Sequence, residues 1–157
     1  MQAILHVRML SMSEEKLLGG FEVETRLSFG VEHLFLLFTQ TRLMLVHVSK
    51  LGRGSVGLTS FLGHFSTGFK KGANKNRLLE KMANMTPEHI MSLDRDNFSV
   101  DYAKVVSLTV TPDIHERAEL ILLSSDMKVV MWASSRAVQG LRETIESMLG
   151  SKSSFRL

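Results

Sequence analysis

The chain has no cysteine among its 157 residues. This absence excludes disulfide bonds, thiolate zinc sites and cysteine nucleophiles, and it fits a reducing compartment. Long apolar runs are also missing, since no stretch approaches the ~18 uninterrupted apolar residues of a membrane-spanning helix. The first ten residues, MQAILHVRML, are too short and too polar for a signal peptide. We therefore expect a cytoplasmic protein, either free or peripheral at a membrane.

Charge of one sign is not in large excess either. The chain has 19 lysines and arginines against 16 aspartates and glutamates, for a net charge of +3. Such a weakly basic chain permits contact with anionic lipid or nucleic acid without requiring it. The length and the hydrophobic fraction of 44% are ordinary for one globular domain. We expect a single domain over residues 1–157.

Strand-like alternation occupies two separate parts of the chain, about 15–49 and 97–149. Apolar and polar residues alternate with a period of two, the pattern of a half-buried strand. The alternation and the dense apolar runs predict seven strands, at about 21–28, 34–38, 43–48, 98–102, 106–111, 120–123 and 129–132. Thr39 to Arg42 is short enough to close a hairpin, with a register that brings His47 near Leu34. The order of the strands predicts a bent antiparallel sheet.

Helices are predicted at both ends of this sheet. A helical turn is expected at 11–18, ended by Gly19-Gly20. One helix is expected at about 135–149, capped by Ser134 or Ser135 and ended by Gly150. Its apolar residues have the spacing of a helix face that packs on a sheet, and they are Val138, Leu141, Ile145, Met148 and Leu149. The tail at 151–157 is expected to be mobile.

Residues of about 50–96 interrupt the alternation and predict a helical insert between strands three and four. In its first helix, apolar residues fall at i, i+3, i+4, i+7 and i+11, which is one face of a helix. A second helix is predicted around Leu78 to Met85. The third has clear local signals, because Thr86 can cap it, Pro87 takes its first position and Glu88 lies in its first turn.

Two segments give this layout a resemblance to a known family. Residues 34–43, LFLLFTQTRL, resemble the LxLTxxRL hairpin of bacterial and archaeal pleckstrin-homology-like (PH-like) and GRAM-type domains. Residues 97–108, NFSVDYAKVVSL, resemble their NFxIPYxxIxSV segment, with Asp101 where proline is usual. The resemblance implies an α+β, PH-like seven-stranded sheet or barrel capped by a C-terminal helix. It also implies a non-enzymatic adaptor that contacts lipid or protein, and it carries over no ligand site.

The insert supplies the candidate binding residues. A bulky apolar helix face next to a group of cations suits an interfacial helix at an anionic membrane. These residues are Val56, Leu58, Phe61, Leu62, Phe65, Phe69, Lys70, Lys71, Lys75 and Arg77. Apolar helix faces usually belong to a core, so the same face also fits one that covers an open end or edge of the sheet, and it fits the groove of a partner protein. We therefore expect a non-catalytic interaction module that docks on membrane lipid or on a protein partner.

The sequence gives less support to other classes of function. The protein-scaffold or oligomerisation adaptor without lipid binding stays open as an alternative, as does a small-molecule-binding or enzymatic barrel. Nucleic acid is disfavoured because no aromatic residues interleave with the basic cluster. His33 and His47 could approach each other across the hairpin, but without a nearby acidic partner they make a poor zinc site. We expect no catalytic residues, no metal and no cofactor.

Overall fold

The computed structural model describes residues 14–27, 30–47 and 80–156. These residues form an α+β fold, with one mostly antiparallel sheet of eight strands and a few short helices. The strands are β1 (Leu17–Leu27), β2 (Gly30–Thr39), β3 (Arg42–His47), β4 (Phe98–Asp101), β5 (Val105–Pro112), β6 (Arg117–Ser124), β7 (Lys128–Ser134) and β8 (Ser153–Phe155). The helices are α1 (Pro87–Ser92), α2 (Ser135–Gly140) and α3 (Arg142–Leu149), and a helical turn lies at 80–83.

The sheet has the strand order β4-β3-β2-β1-β7-β6-β5-β8. Neighbouring strands are antiparallel except for β5 and β8, which are parallel. Among the described residues no pairing joins β4 to β8, so the sheet is open at both edges. The prediction of an α+β fold with a mostly antiparallel sheet is confirmed in its class. It is wrong in the strand count of seven, and of the two predicted forms, sheet or barrel, the described strands form the open sheet. The hairpin prediction is confirmed, because β2 and β3 pair from Phe38↔Leu43 to Leu34↔His47.

The additional strand lies in the tail that was predicted to be mobile, and that prediction is wrong. Ser153 to Phe155 pairs with Leu108 to Val110 of β5. The Arg156 N–H then donates to the Val110 carbonyl at 2.8 Å, and the Arg142 guanidinium lies 4.7 Å from the centre of the Phe155 ring. Three residues are too few for alternation to be visible, so nothing in the local sequence indicates this strand.

The start of β1 differs from the prediction as well. Residues 14–16 are irregular and β1 begins at Leu17, so the helical turn expected to end at Gly19-Gly20 is wrong over its described part. Gly20 lies inside the strand because β1 and β2 approach closely there. A Cβ at Gly20 would lie 2.4 Å from Leu37 Cδ2 and 2.8 Å from the Leu36 carbonyl oxygen. Gly20 allows close packing within the sheet, Gly19 allows close approach of the Leu141 side chain, and neither glycine ends a helix.

The β2–β3 hairpin is buried on both faces. Its inner face contributes Leu34, Leu36, Phe38, Leu43 and Leu45 to the main core, which also contains β1, β5, β6, β7, α2 and α3. Its outer face forms a second cluster with the described end of the insert, through Phe35, Leu37, Met44, Val46, Met82 and Ile90. Both faces are therefore shielded from solvent, which explains why the sequence of β2 is almost continuously apolar.

The helix α1 begins as its sequence predicts. The His89 N–H donates to the Thr86 side-chain oxygen at 3.2 Å, Pro87 takes the first turn, and Glu88 lies near the exposed amides. Ile90 is fully buried on the hairpin. The described part of the insert thus lies on the sheet.

The C-terminal helix is interrupted, so the prediction of one helix at 135–149 is wrong in its continuity. Ser134 caps α2 as predicted, by accepting from the Ala137 N–H at 3.4 Å. The chain leaves helical geometry at Leu141, directly after Gly140, which has low helix propensity. Val138, Ile145 and Leu149 are buried in the main core. Gly150 ends α3 with a φ of 54°, a conformation that glycine adopts without strain.

Candidate functional site

The predicted binding residues of the insert lie outside the described residues. They are Val56, Leu58, Phe61, Leu62, Phe65, Phe69, Lys70, Lys71, Lys75 and Arg77. Docking through this helix therefore stays a prediction. The described residues themselves contain two further candidates, which are the side chains of the family-like segments and a cleft beside β1.

The first family-like segment holds the β2–β3 turn together. The Thr39 side-chain oxygen accepts from the Thr41 and Arg42 N–H groups at 3.2 and 3.1 Å. The Thr39 and Thr41 hydroxyls also donate to Glu15 Oε1, and Arg42 Nη2 lies 2.9 Å from Glu15 Oε2. Arg42 Nη2 reaches Glu88 Oε1 of α1 at 2.9 Å as well. Arg42 thus joins the start of β1 to the insert.

The Glu15 carboxylate is stabilised in its charged form by these contacts. Burial alone would raise its pKa, because a charge is less favourable away from water. The hydrogen bonds from Thr39, Thr41 and Arg42, together with the positive charge of Arg42, outweigh burial and lower the pKa below its ordinary value. A carboxylate held in this way is a structural anchor at neutral pH.

The second family-like segment makes equally internal contacts. Asn97 is buried, accepts from the His47 N–H at 2.8 Å and donates to the Ile90 carbonyl at 3.2 Å. The Tyr102 hydroxyl donates to the Thr39 carbonyl at 2.6 Å. Burial and the negative charge of Glu15 raise the pKa of Tyr102 well above its usual range, so the hydroxyl stays protonated as a donor. These side chains connect β2, β3, β4 and α1.

The two histidines of the hairpin each lie beside a glutamate, so the expectation that they lack an acidic neighbour is wrong. His33 Nδ1 is 3.2 Å from Glu22 Oε1, and His47 Nε2 is 3.0 Å from Glu32 Oε2. Strand alternation places the first pair on the outer face and the second on the inner face. Among the described residues no group of three or more possible ligands is assembled for a metal ion.

A cleft of about 540 Å³ separates β1 from α2 and the end of β7. Its origin is the way in which β1 and β7 diverge. The two strands pair only at Glu24↔Trp132 and Thr25↔Met131. The pairing of β1 with β2, by contrast, extends from Leu17↔Thr39 to Leu27↔Gly30. One edge of β1 is therefore left without a strand partner over residues 19–23, among the described part of the chain.

The cleft, which we call the β1–α2 cleft, has two chemically different walls. One is the strand wall of β1, with Phe35 of β2 behind it. The other is formed by β7, α2 and Arg117. Its lining residues are Gly20, Phe21, Glu22, Val23, Glu24, Phe35, Arg117, Trp132, Ala133, Ser134, Ala137, Gly140 and Leu141. Ala137 and Gly140 on the helix side are small, which leaves open space between the two walls. Leu141 approaches β1 at Gly19, where a Cβ would lie 2.7 Å from Leu141 Cδ2.

Charged and aromatic side chains gather at one end of the β1–α2 cleft. Arg117 Nη2 lies 3.0 Å from Glu24 Oε2, and both side chains are about two-fifths exposed. The Arg26 guanidinium lies 5.8 Å from the centre of the Trp132 ring. A second depression of about 270 Å³ shares Glu24, Arg117 and Trp132, so the open surface continues beyond the cleft.

The sequence contained no local signal for this cleft. Its residues come from β1, β2, β6, β7 and α2, and only the fold brings them together. Gly140 belongs to none of the sequence motifs. Among the described residues, and apart from the adjacent backbone of α2, no atom lies within 4 Å of the position that a Cβ would take there.

No helix among the described residues is long and apolar enough to cross a membrane.

No family model matches the sequence, and no curated protein sequence matches it either. Two solved structures are similar to this chain at 9% sequence identity and a TM-score of 0.48. One is the C-terminal domain of an unknown protein from Leishmania infantum, with 86% of this chain and 85% of that chain covered. The other is the hSac2 domain from human phosphoinositide phosphatase Sac2, with 95% of this chain and 80% of that chain covered.

Proposed function

We propose that this chain is a PH-like, non-catalytic interaction module that binds a protein partner in the β1–α2 cleft. The observation that carries the proposal is the open edge of β1 within a large cleft. Unpaired strand edges bind other chains readily, and the cleft leaves space beside this edge. The PH-like assignment is supported by the strand order and by the terminal helices that pack on the sheet.

The side chains of the two family-like segments support an adaptor role in a different way. Thr39, Arg42, Asn97 and Tyr102 all make contacts inside the domain. They join its strands to one another and to α1. Their roles are those of structural residues, which leaves partner binding to the open surface. Docking of the insert on lipid belongs to the same proposal as a second contact, on the residues named in the sequence analysis.

Photo-crosslinking in the organism that encodes the protein tests this proposal. A photoreactive phenylalanine at Trp132, inside the cleft, is expected to give discrete protein adducts. The same group at Ile114, which is 90% exposed on the β5–β6 turn, is the control and is expected to give none of them. Equal adduct patterns at the two positions, or no adducts at either, would overturn binding in the cleft.

Vesicle flotation separates the lipid contact from the protein contact. Wild type is mixed with phosphatidylcholine vesicles or with vesicles that also contain phosphatidylserine. Flotation with the anionic vesicles that is lost in Phe61→Asp and Phe65→Asp would support docking of the insert. Absence of flotation with both vesicle types would remove the membrane from the proposal and leave the protein partner.

A further inference from the structure

We infer that the partner of the β1–α2 cleft is an extended peptide segment that adds to β1 as an extra strand, with a basic side chain beside Glu22 and Glu24. This inference deepens the proposed function and rests on it. It concerns how the partner binds and which chemistry it carries. It depends on the backbone edge, the side-chain alternation and the charge of the cleft, taken in that order.

The backbone edge determines the mode of binding. A strand directs the N–H and C=O groups of successive residues to alternate sides. Within residues 20–23 of β1, every second residue therefore directs its backbone groups away from β2 and into the cleft. β7 fills that side only at Glu24 and Thr25. An extended segment that enters the cleft can continue the ladder where β7 leaves it, with main-chain hydrogen bonds as the source of affinity.

The alternation of β1 determines where the ligand side chains lie. Phe21 and Val23 are buried on the inner face, while Glu22 and Glu24 lie on the outer face. An added strand shares these two faces with β1. Its inner side chains would meet the small residues of α2, such as Ala137 and Gly140, and must be apolar. Its outer side chains would meet the two glutamates.

The charge of the β1–α2 cleft favours a cationic ligand. The lining contains two carboxylates, Glu22 and Glu24, and one guanidinium, Arg117. The Glu22 carboxylate also lies 3.2 Å from His33 Nδ1, so a basic side chain of the ligand would share this carboxylate. The ion pair of Glu24 with Arg117 is half-exposed, and such pairs stabilise a protein by only about 0–1 kcal/mol. A lysine or arginine of the ligand can therefore share the carboxylate at small cost. The same charge disfavours an anionic lipid headgroup at this site.

A library of linear peptides displayed on phage tests the inference with the purified protein. Selection on wild type is expected to enrich sequences in which basic and apolar residues alternate. Gly140→Trp is the matched blocking variant, because Gly140 lines the cleft and a Cβ there would meet open space. Gln139→Trp adds the same side chain at the neighbouring exposed position of α2, which is not part of the cleft lining. The enriched peptides should lose at least about tenfold in affinity for Gly140→Trp, equivalent to about 1.4 kcal/mol, and keep their affinity for Gln139→Trp.

Methylation of the peptide nitrogens separates strand addition from simple charge attraction. N-methyl groups on alternate residues block one hydrogen-bonding edge of an extended peptide at a time. We expect one of the two methylated forms to lose binding and the other to keep it. Replacing Glu22 with Gln should weaken peptides that contain a basic residue more than peptides in which that residue is alanine.

Several results would overturn the inference. They are a failure to enrich peptides that prefer wild type over Gly140→Trp, equal loss of binding from methylation of both edges, and a wild-type dimer that Gly140→Trp dissociates. The last result would identify a second copy of the chain as the occupant. If crosslinking at Trp132 still gives discrete adducts in these cases, the proposed function stands and only the peptide mode fails.

Discussion

The β2–β3 hairpin and the β1–β7 junction are neighbours in one sheet, but they differ in how completely their strand edges are paired and their side chains are buried. The hairpin is paired with β1 and β4 on its two edges and buried on both faces. The β1–β7 junction has two paired positions and then opens into a cleft. The hairpin thus has both edges paired, whereas the junction leaves part of the β1 edge without a strand partner among the described residues.

The residues of the sequence motifs and the residues that line the cleft lie in different parts of the molecule. The family-like segments lie in and around the hairpin, and their polar side chains satisfy buried or turn backbone groups. The cleft has no motif at all, because it is assembled from residues far apart in sequence. A search for function among the motif residues would therefore examine the structural part of the molecule.

The largest change in the free energy of unfolding is expected on the inner face of the β2–β3 hairpin, which packs in the main core. Phe38→Ala should lower the free energy of unfolding by about 3–5 kcal/mol, because it removes a fully buried ring and leaves a cavity. The Phe38 ring also packs against that of Phe21, with 6.1 Å between ring centres. Urea denaturation followed by circular dichroism measures the change.

Ile114→Ala is the control for this comparison. Ile114 is 90% exposed, so its replacement should change the free energy of unfolding by less than about 0.5 kcal/mol. A loss at Phe38 no larger than the loss at Ile114 would contradict the assignment of the main core.

A smaller loss of stability is expected from a substitution at Gly20, where β1 and β2 approach closely. Gly20→Ala should destabilise the protein by about 1–3 kcal/mol, because its Cβ would overlap Leu37 Cδ2 and the Leu36 carbonyl oxygen. The leucine side chain can rotate away, whereas the carbonyl oxygen belongs to a paired strand. A variant as stable as wild type in urea denaturation would show that β1 and β2 are farther apart than described.

The sequence predicts those parts of this architecture that local chemistry determines. The Thr39–Arg42 turn, the Thr86 and Ser134 caps and the alternation of β5 and β6 need only near neighbours, and the structure confirms them. The open sheet and the pairing of β8 arise from pairing between distant segments. The break at Leu141 comes directly after Gly140, whose low helix propensity the apolar spacing of this helix does not show. Alternation alone does not reveal them.

The candidate site shows the same limit more strongly. The register of the β2–β3 hairpin followed from its turn, but the glutamates beside His33 and His47 depended on the pairing of β1 with β2 and on which residues share a face. The β1–α2 cleft depended on where β7 stops pairing with β1, a feature of twist and helix placement that no spacing encodes.

The contacts of Glu15 make the stability of the β2–β3 hairpin depend on pH. Glu15→Gln should cost about 1–2 kcal/mol at neutral pH, because the hydrogen bonds from Thr39, Thr41 and Arg42 lose their charged acceptor. The folded pKa of Glu15 is lowered, so its stabilisation is present above the unfolded value of 4.5 and is lost as the pH falls through the folded value. The difference between variant and wild type should therefore shrink in acid.

Urea denaturation at neutral pH and at several values below 4.5 measures this difference. Glu14→Gln is the matched control, since Glu14 is an exposed neighbour and its replacement should change stability by less than about 0.5 kcal/mol. A cost at Glu15 that stays constant into acid would show that the carboxylate charge contributes nothing to the turn.

The smallest change in the free energy of unfolding is expected at Gly140, beside the β1–α2 cleft, and it is an increase. Gly140→Ala should raise the free energy of unfolding by about 0.4–1 kcal/mol, because alanine restricts the unfolded chain and favours the end of α2. Within the described part of the chain, and apart from the adjacent backbone, no atom lies within 4 Å of the new Cβ, so no clash offsets the gain. Urea denaturation of Gly140→Ala beside Gly20→Ala makes the test direct, since the same substitution should destabilise the closed side of β1 and stabilise the open one. A destabilised Gly140→Ala would contradict the open space described at this position.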